Sequence, residues 1–453
     1  MPISSINPFN QETHSQFPAY EVDQVLHIVE QNRLDQKRWK EIPIQQRSLS
    51  ILKASEALRL NTESYARIIT EEMGKPIKEA RAEIEKCAVL CDYYAENAKR
   101  FLEAKVVQTD YQKSFIAYEP LGTVLTIMPW NFPFWQVFRA AIPAMAAGNG
   151  VILKHASITP RCALSIEALF QGCGFPFHLF RTVLLPGKDT PLLIAHPEIH
   201  AVTFTGSNEV GEKIAGLAGT QVKKVVMELG GSDAAVILAD ADLGLAVERT
   251  VQGRMLNAGQ SCISVKRVLI HQSLAEDFLR KALQMITKLN CGDPMQEATD
   301  IGPMASSEGL DEVKRQVSES IKMGAVCMAG GQALSNNIYS PTLLAGVTPD
   351  MPVWKEECFG PVMCVSAFED EETAIHLANQ SQWGLGCSVF GRNLDSALAV
   401  GKKIESGTCA VNDFVRSDPR VPFGGIKKSG FGRELGVEGL HEFVNVRTYH
   451  LST

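Results

Sequence analysis

The chain is 453 residues long, 45% hydrophobic and 21% charged, with a net charge of -7. That composition predicts a folded protein of two or three domains with sizeable cores, and it excludes a disordered chain. The acidic balance supplies no basic field for nucleic acid or an anionic membrane surface, so small molecules are the expected partners.

The N-terminus, "MPISSINPFNQETHSQF", has no basic region followed by an apolar core, and no apolar run is long enough to span a bilayer. A cytoplasmic protein is expected. The first hundred residues then read as helices, because apolar residues recur at three and four residue spacing over 21–32, 44–60 and 63–101, with Gly74 and Pro76 interrupting the last stretch. From residue 114 short β-rich runs such as "GVILK", "HAVTFTG", "DAAVILAD" and "CAVNDF" alternate with helical ones. This alternation predicts parallel sheets covered by helices, the doubly wound α/β class. A domain border is expected near "MELGGSD" (227–233), where a strand-like run meets two glycines and a second α/β stretch begins. The end, "LHEFVNVRTYHLST", reads as a terminal strand that must pair within this chain or with a neighbouring one.

Eleven cysteines are scattered along the chain without C-x-x-C or Cys/His spacing, so no metal site is expected and most should be reduced, buried, small apolar side chains. Cys87 and Cys91, four apart in a helical stretch, fit that reading. Cys262 stands apart, in the loop-like "LNAGQSCISVKR" (256–267). A free thiol with a pKa of about 8.5 is only a few per cent thiolate at neutral pH, so a nucleophilic role needs a base or an electropositive loop. The stretch has no histidine, which disfavours a papain-type hydrolase against thiolate chemistry with a carboxylate nearby.

Four other residues or segments carry two readings each. In "TFTGSNEVGEKIA", Gly206 and Ser207 precede a helix start near Glu209 and Gly211, which suits a phosphate, but the G-x-G-x-x-G fingerprint is missing and an ordinary strand-to-helix turn reads the same way. Lys154 closes a strand at the edge where α/β sheets bind ligands, or is simply solvated. Arg139 lies in the apolar stretch 132–147, and a buried guanidinium needs an anion: an internal carboxylate, or one on the substrate. Glu228 is a strand-end residue, or a desolvated carboxylate suited to general-base work.

Seven motifs, "PWNFP" (129–133), "FTGS" (204–207), "ELGG" (228–231), "GQSC" (259–262), "EECFGPV" (356–362), "PFGG" (422–425) and "SGFGREL" (429–435), resemble the NAD(P)-dependent aldehyde dehydrogenase superfamily in order and approximate spacing. The resemblance runs from about Met1 to the C-terminus. It implies an α/β fold with a Rossmann-like cofactor domain (1–100 and 121–230), a catalytic domain (231–430) and a small β oligomerisation arm (101–120 and 431–453) serving a homodimer or homotetramer. It also implies that Cys262 attacks the aldehyde carbon to give a thiohemiacetal, with Asn131 and the Cys262 backbone N–H as the oxyanion hole. After hydride passes to the nicotinamide, Glu228 would activate the water that hydrolyses the thioester, with Glu434 as a secondary proton-handling carboxylate. The cofactor set implied is Glu357 and Phe359 near the nicotinamide ribose, Lys154 at the adenosine ribose, Gly206, Ser207 and Gly211 around the pyrophosphate, and Trp130 at a phosphate. Strict NAD users often carry a glutamate three residues after that lysine. Here the position is Ser157, so NAD and NADP both remain expected.

Within the superfamily, "ELGGSD" and "GGIKKSGFGREL" are most similar to compact bacterial succinate-semialdehyde dehydrogenases, and Arg139 coincides with a carboxylate-binding arginine of that class. A second arginine that larger members carry six residues before the cysteine is replaced by Leu256, with Arg254 two residues earlier. Ser417, flanked by Arg416 and Arg420, is the candidate for the missing contact. The reaction expected is oxidation of succinate semialdehyde or a similar ω-carboxy aldehyde. The alternatives are a broad-range aliphatic aldehyde dehydrogenase, an acylating enzyme using coenzyme A, against which Glu228 speaks, and a non-catalytic protein of the same fold, against which Cys262, Asn131, Glu228 and Glu357 speak.

Overall fold

The computed structural model describes residues 2–452. Four helices, Val22–Trp39, Ile44–Leu60, Thr62–Met73 and Ile77–Phe101, fill most of the first hundred residues. The breaks between the last two follow local chemistry: Gly74 ends one helix in the left-handed conformation at φ +78°, and Pro76 precedes the next. A hairpin of Ile3–Ile6 and Thr13–Phe17 departs from the helical reading of this region. Its second strand, "THSQF", is too polar to announce itself by alternation, and its turn is held by Asn7 Oδ1 accepting from the Phe9 N–H and by Gln11 at φ +61°.

A six-stranded sheet follows, in the order Gly430–Phe431, Lys224–Glu228, Ile199–Thr205, Thr123–Met128, Gly150–His155, Phe180–Thr182. All its pairings are parallel except that of the short Gly430–Phe431 edge. The Thr123–Met128 and Gly150–His155 strands are buried along their whole length, which is why they read as continuous apolar runs. The seven-stranded sheet runs Val326–Ala329, Thr342–Ala345, Val362–Phe368, Val265–His271, Asp233–Ile237, Gly386–Phe390, Thr408–Val411, again parallel except at its first pair. Glu228 ends a strand of the first sheet and Asp233 begins a strand of the second, so the chain changes sheets across Leu229–Ser232. Both sheets are covered by helices, the α/β arrangement that the alternation predicts.

A third, antiparallel sheet pairs Val444–Leu451 with Lys113–Pro120 and the latter with Lys105–Val107. The terminal strand thus finds its partner inside this chain, stacking Tyr449 on Phe115 at 4.9 Å. Among the described residues, no helix is long and apolar enough to cross a membrane.

Candidate active site

Cys262 sits just before the Val265–His271 strand, after an unusual approach: Asn257, Ala258 and Gly259 have φ values of +55°, +51° and +72°. Consecutive left-handed residues cost energy, most for Ala258, and persist only where surrounding bonds fix them. Those bonds are present. Asn257 Nδ2 donates to the Asn131 carbonyl at 2.8 Å and to the Gln260 carbonyl at 3.1 Å, and Gln260 Oε1 accepts from the Ala305 N–H at 2.9 Å. Below the cysteine, the buried Lys266 ammonium donates to the carbonyls of Ser261 and Cys262, both at 2.8 Å, and lies 3.4 Å from Glu357 Oε1. The same Glu357 oxygen accepts from the Gly231 N–H at 3.1 Å. Gly231 is needed for this approach, since a Cβ there would stand 2.8 Å from the Cys262 carbonyl oxygen.

Cys262 and Gln136 are the residues shared by two cavities. One, of about 290 Å³, is lined by Trp130, Asn131, Leu229, Glu357 and Phe359 among others. Through Thr205, Gly206 and Ser207 it opens into a groove of about 820 Å³ over Lys154 and the Asn208–Thr220 helix. The other, of about 270 Å³, is lined by Lys86, Phe132, Trp135, Arg139, Leu256 and Ser417 among others. A nucleophile at such a junction meets a ligand from each side.

The electrostatics around the thiol are mixed. Burial pushes the Cys262 pKa up to about 12, against the pull of Arg139 and Lys266. Glu228 is 2% exposed, neither of its carboxylate oxygens has a hydrogen-bond partner, and burial holds its pKa well above the carboxylate range, with Arg139 opposing and Glu434 adding to the shift. Arg139 finds an internal carboxylate, the first of its two readings, and also reaches a cavity. It ion-pairs with the buried Glu434 carboxylate, reaches Thr205 Oγ1 at 3.4 Å, and lies over the Phe423 ring, while still lining the 270 Å³ cavity. Asn131 is 4% exposed and spends one amide proton on the Gln260 carbonyl at 3.1 Å, which leaves the other for the cavity.

The model of the aldehyde dehydrogenase family matches residues 1–449. The chain belongs to that family. A probable succinate-semialdehyde dehydrogenase [NADP(+)] of Synechocystis sp. is 45% identical over 453 residues, 99% of each chain. A succinate semialdehyde dehydrogenase [NAD(P)+] of Escherichia coli is 42% identical, over 98% of this chain and 96% of its own. Among solved structures, the succinic semialdehyde dehydrogenase of Streptococcus pyogenes, crystallised in complex with NADP+, superimposes with a TM-score of 0.97 at 34% identity, covering all of both chains.

In this aldehyde dehydrogenase some of the residues singled out from sequence lie away from the cavities. Gly211 is buried inside its helix against Leu229, where a Cβ would meet Leu229 Cδ2 at 2.4 Å. Ser157 follows the Gly150–His155 strand without lining the groove. Arg420 is outside the 270 Å³ cavity, its guanidinium bound to Asp418 with Nε at 2.8 Å from Oδ1. Arg254 is fully buried and gives its donors to the carbonyls of Cys358, Gly360 and Val362, so it ties "EECFGPV" to the cysteine loop and does not replace the arginine missing at Leu256.

Sequence reasoning missed Lys266, Asn257, Gln136 and Lys86. Gln136 is 2% exposed with Oε1 unpartnered at the cavity junction, and its signal was being the one uncharged polar residue in an apolar helix. Lys86 borders the buried helical face of Glu83, Cys87, Leu90 and Tyr94, a position that the periodicity marks only as a boundary.

Proposed function

We propose that this enzyme oxidises succinate semialdehyde to succinate with NAD or NADP, consuming water and releasing two protons. The observation that carries the reading is Cys262 at the junction of two cavities, one continuous with a nucleotide-sized groove, the other small and lined by cations. The names of the Synechocystis and Escherichia coli relatives support the substrate and the cofactor pair.

A dinucleotide fits the groove. It runs over the C-terminal ends of parallel strands and the start of a 13-residue helix, whose first-turn N–H groups and positive end suit a pyrophosphate, while Val210, Ile214 and Leu217 offer an apolar wall. Lys154, Gly206, Ser207, Trp130, Glu357 and Phe359 would hold it, and Ser157 sets no negative charge against a 2'-phosphate. When bound, the nicotinamide accepts the hydride that leaves the aldehyde carbon. The chain's own residues do the rest. The Cys262 thiolate attacks the aldehyde carbon, and the charge that develops on the oxygen is met by the free Asn131 amide proton and the Cys262 N–H. Loss of hydride leaves a thioester on Sγ. Glu228, whose raised pKa brings it toward the range where a carboxyl both takes and gives protons, accepts a proton from the water that opens that thioester, and Glu434 shares this buried charge network through Arg139. The cavity that would take the substrate's carboxylate is lined by Arg139, whose charge is shared with Glu434, and by the Ser417 hydroxyl.

The same reading assigns residues 1–100 and 121–230 to cofactor binding, 231–430 to catalysis, and 101–120 with 431–453 to an arm joining a homodimer or homotetramer. The open edges of the arm's sheet, at Val444–Leu451 and Lys105–Val107, support an interchain role. Eleven unpaired cysteines support a reducing compartment such as the cytoplasm. The test is steady-state kinetics with succinate semialdehyde, glutarate semialdehyde, propanal and glycolaldehyde. A marked preference for the carboxylated aldehydes is expected, and equal kcat/KM values across the set would sink the substrate claim.

A further inference from the structure

Three cations line the 270 Å³ cavity, and two of them are already committed: Arg139 to Glu434 and Arg416 to Asp413. The third, Lys86 on the Ile77–Phe101 helix, has no ion-pair partner among the described residues. Its ammonium donates to Ser417 Oγ at 2.7 Å and rests 4.2 Å from the centre of the Trp135 ring, so both neighbours are neutral. An ammonium has three donors, and this one has spent a single proton on a hydroxyl. A half-buried cation held between an aromatic face and a hydroxyl, open to a cavity that ends on the nucleophile, is arranged to receive an anion.

We propose that Lys86 is the principal carboxylate-binding residue of the substrate cavity, with Ser417 orienting its ammonium, and that it takes the part of the arginine missing at Leu256. The proposal rests on the ω-carboxy aldehyde reading and adds to it the group that sets the preference. Arg139 is then a positioning residue whose charge serves Glu434 and Glu228 first.

This assignment has a signature that an arginine site lacks. Burial, and next the Arg139 guanidinium, depress the Lys86 pKa to about 8, so its charge is lost at mildly alkaline pH. The other charged groups facing it are engaged elsewhere: Glu83 and Lys75 pair with each other, and Asp418 pairs with Arg420. The neighbouring Cys87 thiol is held neutral by burial. Preference for a carboxylated aldehyde should therefore be full well below pH 8 and fall through about pH 8 as the ammonium loses its proton.

The experiment compares kcat/KM for succinate semialdehyde with that for butanal, which has the same carbon count and no carboxylate, from about pH 6.5 to about pH 9.5, with saturating NADP. The ratio of the two cancels groups common to both reactions. In the native enzyme it should fall through about pH 8. Lys86→Met should lower the low-pH ratio about tenfold or more, as loss of a charge-assisted contact does, and Lys86→Arg should restore it and remove the pH dependence. A native enzyme with no preference at any pH overturns the substrate reading itself. A native preference that is flat with pH, or that survives Lys86→Met, overturns the role of Lys86 and leaves the substrate reading standing. If Lys86→Met does not fold, the native and Lys86→Arg profiles still decide.

Discussion

Two cavities of similar size meet at Cys262, about 290 and about 270 Å³, and they are built in opposite ways. The first is made at strand ends and loops, and its charge is a carboxylate, Glu357, tied to the buried Lys266. The second is walled by three helices, Ile77–Phe101, Trp135–Ala146 and Leu243–Met255, and by the loop after Thr408–Val411, and its charges are cations. The contrast teaches where each kind of recognition is encoded. Backbone geometry dominates one side, and side chains projecting from helices dominate the other.

The junction gives the largest expected effect. Cys262→Ala should lower activity by about 10⁴-fold or more while leaving nucleotide affinity, followed by tryptophan fluorescence, close to native. Loss of both together would mean that the two sides are one structural unit. Glu228→Gln should slow turnover by about 10²–10⁴-fold yet keep a first-turnover burst of reduced nucleotide, measured by stopped flow. Disappearance of the burst would move Glu228 from the water to the thiol.

On the cation side, Arg139→Ala strands Glu434 as a buried unpaired group and should cost about 3–5 kcal/mol in urea unfolding. Normal stability with a loss confined to carboxylated aldehydes would return Arg139 to the role of direct substrate ligand. Protons divide the sides next. A thiol with its pKa at about 12 is protonated at neutral pH, so kcat/KM for butanal should rise with pH, by up to about tenfold per unit where thiol ionisation limits the rate. A profile flat above about pH 7 would indicate that bound nucleotide or substrate already frees the thiolate. The smallest effect belongs to the nucleotide side: Ser157→Glu should shift preference from NADP toward NAD by about fivefold, roughly 1 kcal/mol of like-charge repulsion at an exposed site. An unchanged ratio would show that this position does not face the 2'-phosphate.

The same division explains what could be read in advance. Helices over 44–60 and 77–101 follow from apolar spacing, and the sheet change at Leu229–Ser232 follows from a strand-like run meeting two glycines. Cys262, Asn131 and Glu357 sit in short motifs whose order is specific. Arg139 was legible as a charge in need of an anion, but which anion depends on Glu434, 295 residues later, and no local pattern carries that. Lys86 and Lys266 were invisible for a related reason. A lysine on a helix or strand looks solvated until the fold brings a loop's carbonyls and a distant carboxylate over it, as at Lys266, or a distant serine and an aromatic ring, as at Lys86. The left-handed run at Asn257–Gly259 likewise depends on Asn131 and Ala305, both far away in sequence.

The shared wall formed by Cys262 and Gln136 has a kinetic meaning. A dinucleotide on one side and an aldehyde on the other would meet only across these two side chains, so a change at Gln136 would be felt by both ligands at once.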